Sequence, residues 1–120
     1  MSASLGSKDT DWNFRVFAQR TVRARAKNIN TRKIVADDLL TKTPLTLNVP
    51  KELSIEPIEV EKEYLATFNV YTLRSSEGID EGYTEFFKVL DVDQSVEDFI
   101  KVYWIYPNHI KFVLTEIEPS

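Results

Sequence analysis

Between Trp12 and Lys33 the chain carries seven cationic side chains and no carboxylate: Arg15, Arg20, Arg23, Arg25, Lys27, Arg32 and Lys33. The remaining 98 residues hold eight basic and 19 acidic groups, so a protein of formal charge −4 gathers much of its positive charge in one early segment. The chemistry open to such a segment is anion binding. Guanidinium and ammonium groups neutralise phosphates, and Arg, five of the seven here, adds planar bidentate contacts.

A strand would line these cations up. From Trp12 onward Trp12, Phe14, Val16, Ala18, Arg20, Val22, Ala24 and Ala26 alternate with Asn13, Arg15, Phe17, Gln19, Thr21, Arg23, Arg25 and Lys27. Successive strand side chains point to opposite faces, which gives one apolar face and one basic face carrying Phe17. Arg20 interrupts the apolar set and predicts a bulge or bend around Gln19–Thr21. Ala and Arg also favour a helix over 21–28, but the sustained alternation favours the strand.

On this geometry Arg15, Phe17, Arg23, Arg25, Lys27, Arg32 and Lys33 form a candidate surface for single-stranded DNA or RNA. Cations track phosphates and Phe17 offers a stacking face, with Tyr71 or Tyr83 as a second ring; each stacked base contributes roughly 1–3 kcal/mol. No recognition helix for a duplex major groove is evident. The competing reading pairs the same cations across a sheet with Glu59, Glu61, Glu63 or Glu85.

Catalytic chemistry finds little support. The chain has one histidine and no cysteine, which excludes disulfides, thiolate nucleophiles and Cys-based zinc sites. His109 falls in a turn and is expected to be exposed. Three glycines build no phosphate-cradling loop. Asp91, Asp93 and Ser95 begin like a calcium loop, but Val96 and Val102 stand where Gly and Glu are needed. Asp37 with Asp38, or Asp80 with Glu81, would be a carboxylate pair for acid–base work; adjacent acids in loops are ordinarily solvated surface. The reading is non-enzymatic, with no cofactor and no metal.

The other elements follow from pattern. Residues 1–10 are small and polar and are expected to be a disordered tail, with 11–120 a single globular domain. Residues around 31–42 suggest a short helix, and Leu45, Leu47 and Val49 a short strand. Glu59, Glu61 and Glu63 line one face of an extended segment and would guard a sheet edge. Segments 64–74 and 83–92 read as two strands joined by a loop containing Gly78 and Gly82. Ser95 opens a helix through Val96, Phe99, Ile100 and Tyr103, and Ile110–Ile117 is a final strand.

The fold expected is therefore α+β and β-rich: an antiparallel sheet or a partly open small barrel, for which an OB-like arrangement is compatible, with one or two short helices. Apolar residues at 42% and aromatics at 12% supply a core without staples. No long apolar run appears, so a cytoplasmic protein with no membrane contact is expected. One methionine and few glutamines lean toward a heat-adapted source, and a virus-encoded intracellular domain fits equally. The alternative to nucleic acid is a protein partner or homodimer reached through Trp104 and Tyr106, although such rings ordinarily belong to a core.

Overall fold

The computed structural model describes residues 14–74 and 81–120. The expected tail at 1–10, Trp12, Gly78 and Asp80 lie outside the described residues. Five strands, β1 (Phe14–Ile29), β2 (Lys33–Asp38), β3 (Pro44–Asn48), β4 (Glu63–Leu73) and β5 (Ile110–Pro119), close a barrel in the order β1-β2-β3-β5-β4. All pairs are antiparallel except β3 with β5, whose parallel junction rests on Asn48 opposite Val113. Two helices, α1 (Glu81–Val89) and α2 (Val96–Ile105), fall between β4 and β5. The protein is a β-rich, OB-like barrel with two short helices. No helix among the described residues is long and apolar enough to cross a membrane.

β1 is long because it belongs to both halves of the barrel. Residues 14–25 pair with β4, while residues 24–29 pair with β2. Val22, Ala24 and Ala26 face the core, as the alternation predicts. The bulges sit elsewhere than expected: the register slips at Phe17 against β4 and at Lys27 against β2, with none at Gln19–Thr21. Arg20 stays in register opposite Phe68 and solves its burial differently. Its guanidinium lies over the Phe99 ring at 5.2 Å and donates to the carbonyls of Val92 (2.6 Å) and Gln94 (3.0 Å). A charged group on an otherwise apolar face is thus satisfied by carbonyls of the α1–α2 connection.

Two expected elements have the opposite type. Residues 33–38 form a strand rather than part of a helix, with Ile34, Ala36 and Asp38 inward and their neighbours outward. Asn30 makes the turn before it by accepting from the backbone N–H groups of Arg32 (2.9 Å) and Lys33 (2.8 Å), so the residue expected to open a helix reverses the chain instead. Residues 81–89 form a helix rather than a strand. Tyr83, Phe86, Phe87 and Leu90 recur at i, i+3, i+4 and i+7, so they share one side when the segment coils, and Phe86 is fully buried.

The other elements follow expectation. Ser95 caps α2 by accepting from the Asp98 N–H at 3.1 Å, and Glu97 and Asp98 suit the positive end of the helix dipole. α2 runs to Ile105 and buries Phe99, Ile100 and Val102. The core centres on Phe68 and Phe112, packed edge to face at 5.6 Å, with Ile34, Leu45, Leu47 and Leu114 around them.

Candidate nucleic-acid interface

The cations of β1 do stand on its outer face, but acids accompany them. Glu63, opposite Arg25 in the register, takes Arg25 at 2.7 Å and Arg23 at 3.4 Å, and Lys27 meets Glu61 at 2.8 Å. Glu59 and Glu85 pair within their own segments, with Lys62 and Lys88. Pairs this exposed are worth about 0–1 kcal/mol, so they hold the cations in place weakly. They nevertheless neutralise much of the surface the alternation promised.

The bulge at Phe17 removes two more members of that surface. Phe17 turns toward the core and meets Phe99 edge to face at 6.3 Å, so it offers no free ring to a base. Arg15 falls opposite Thr72, a fully buried inward residue, and therefore leaves the side of β1 that carries Arg23. The same slip sends Phe14 to the outer side.

Arg32 and Lys33 remain. Both are exposed, and neither has an ion pair among the described residues. They line a groove of about 610 Å³ whose other walls are Phe14, the outer faces of β4 and β5, and the segment after β3. Tyr71 on β4 is the register partner of both Val16 on β1 and Lys111 on β5. The Lys111 ammonium lies 4.4 Å from the centre of the Phe14 ring. Around these groups Arg32, Lys33, Lys51 and Lys111 outnumber the single carboxylate, Glu52. Two rings and four cations in one groove have the parts of a single-strand site: stacking faces beside phosphate-binding charge.

Sequence reasoning named Arg32, Lys33 and Tyr71 but missed Phe14, Lys51 and Lys111. The outward direction of Lys111 was readable, since it alternates with buried Ile110 and Phe112. Phe14 was not, because its face depends on where β1 slips. Tyr83 lies elsewhere, 5.2 Å from His109. His109 itself is half-buried rather than exposed, among the rings of Tyr83, Phe86 and Tyr106.

The carboxylate pairs do not assemble a catalytic site. Asp38 is buried and ties its own turn, accepting from the Leu40 N–H (3.1 Å) and the Thr41 hydroxyl (2.8 Å), while Asp37 stands opposite Arg25. Among the described residues no cluster of His, Asp and Glu has the arrangement of a metal site.

The pairing of Glu61 has a pH signature. Its hydrogen bond from Lys27, reinforced by the charges of Lys27 and Arg25, holds the carboxyl below the usual glutamate value. A group whose folded value is depressed stabilises the fold above its unfolded value and loses that contribution as pH falls through the folded one. Glu61→Gln is therefore expected to flatten the acid limb of a stability–pH curve below about pH 4.5. Denaturant midpoints of both proteins across that range check it; parallel curves would contradict it.

Trp104, expected in the core, is 66% exposed, as is neighbouring Ile105. Tyr106 is half-buried against Phe86 at 5.5 Å. No family model, curated protein or solved structure matches this chain.

Proposed function

We propose that this domain binds single-stranded nucleic acid, with the groove beside Phe14 and Tyr71 as its principal contact surface. The observation that carries this reading is the meeting of the two rings with Lys111, Arg32 and Lys33 in one groove. Bases stack on the rings, and the cations follow the phosphates. The outer face of β1 runs on from the groove through Gln19 and Thr21 to Arg23 and Arg25. A phosphate arriving there competes with Glu63 for the two guanidiniums, which makes that stretch an auxiliary surface.

Fluorescence anisotropy of a labelled oligonucleotide tests the proposal. Binding is expected to weaken steeply with salt, because each phosphate contact releases counterions with a slope of about −0.7 on a log–log plot. Binding that is absent at low salt would refute it. Arg23→Glu with Arg25→Glu separates the two surfaces: abolished binding assigns the main role to β1, and a small loss assigns it to the groove.

A second reading rests on Trp104 and Ile105. Adjacent exposed apolar side chains of this size are suited to a protein interface, where aromatic anchors dominate the energetics. A domain that ignores oligonucleotides and elutes as a dimer that Trp104→Ala dissociates would favour this reading.

A further inference from the structure

We infer that Asn69 gives the groove a preference for pyrimidine bases bearing carbonyl oxygens, an inference that rests on the single-strand reading above. Asn69 and Tyr71 are two residues apart on the outer face of β4, a spacing of about 7 Å. A base stacked on Tyr71 therefore extends its edge toward the Asn69 amide. That amide does not turn freely. Gln19, its register partner on β1, donates from Nε2 to Asn69 Oδ1 at 3.0 Å.

This bond occupies the Asn69 carbonyl and leaves the Nδ2 hydrogens with no acceptor among the described residues. The group offered to a base is thus a donor of fixed orientation. Thymine and uracil present carbonyl oxygens on both sides of N3, and cytosine presents one. Adenine has no carbonyl, and its amino group opposes a donor with another donor. Lys111, directly opposite Tyr71, lies on the other side of the stacked base, where it reaches phosphate without competing for the base edge.

Single strands of thymidine already bind many proteins better than adenosine strands, because adenines stack on one another and resist being splayed. The test must therefore separate that effect from Asn69. Labelled oligo(dT) and oligo(dA) of about 12 nucleotides, within the range one OB fold occupies, are titrated against wild type and Asn69→Ala. Losing one neutral hydrogen bond is expected to weaken oligo(dT) about three- to tenfold and to leave oligo(dA) nearly unchanged. Gln19→Ala, which keeps the donor but frees its orientation, is expected to give a smaller loss on oligo(dT).

Circular dichroism confirms that each variant keeps its fold. Equal losses on the two oligonucleotides, or no loss on oligo(dT), overturn the assignment of Asn69 while leaving nucleic-acid binding intact. Wild-type protein that binds neither strand overturns both.

Discussion

Lys111→Glu combined with Arg32→Glu is expected to reduce oligonucleotide affinity by at least about 100-fold at physiological salt. Two lost phosphate contacts each remove about 0.7 from the log–log salt slope, so the slope should shrink by about 1.4. That loss alone is on the order of tenfold at physiological salt, and two carboxylates facing a polyanion add repulsion of similar size. Both residues line the groove, and neither has an ion pair among the described residues, so the substitution leaves no uncompensated partner behind. Lys111 also leaves the face of Phe14, a cation–π contact worth about 0.5–1 kcal/mol at an exposed site, which is small against the stability of a domain. Affinity and slope measured together make the result specific: a drop in affinity with an unchanged slope would mean that these cations do not touch phosphate.

Phe68→Ala should produce the largest change in stability, about 3–5 kcal/mol. Phe68 is fully buried in β4, the strand that pairs with both β1 and β5, and it packs edge to face on Phe112. Removing the ring opens a cavity that the surrounding barrel cannot collapse into, since pairing holds β4 on both sides. Domains of this kind have about 5–15 kcal/mol in total, so the variant approaches global unfolding. Urea denaturation should show a lower midpoint at an unchanged slope. A cost below about 1 kcal/mol would mean that Phe68 is not central to the core.

Much of the architecture was readable along the chain. The alternation through Val22, Ala24 and Ala26, the β-branched and aromatic run of β4, and the Ser95 cap each place an element that forms. Two short segments misled for a shared reason: local propensity and the period of burial disagreed. Tyr, Phe and Val in residues 83–92 favour strand, yet Tyr83, Phe86, Phe87 and Leu90 carry helical spacing, and burial of Phe86 settles the matter. Residues 33–38 show the reverse, with an Asn30 turn directing the chain into a strand that β1 and β3 both pair.

Composition and period sufficed to specify a β-rich domain with a basic first strand, because side-chain alternation and β-branched runs are local properties. Which of those cations meets solvent alone was a long-range matter. Glu63 comes to Arg25 across 38 residues through the β1–β4 register, and a single slip at Phe17 exchanges the faces of Arg15 and Phe14. No local rule locates such a slip, since it minimises the strain of closing the whole barrel. The groove likewise unites β1, the turn after it, β4 and β5, and exists only once these distant strands are joined.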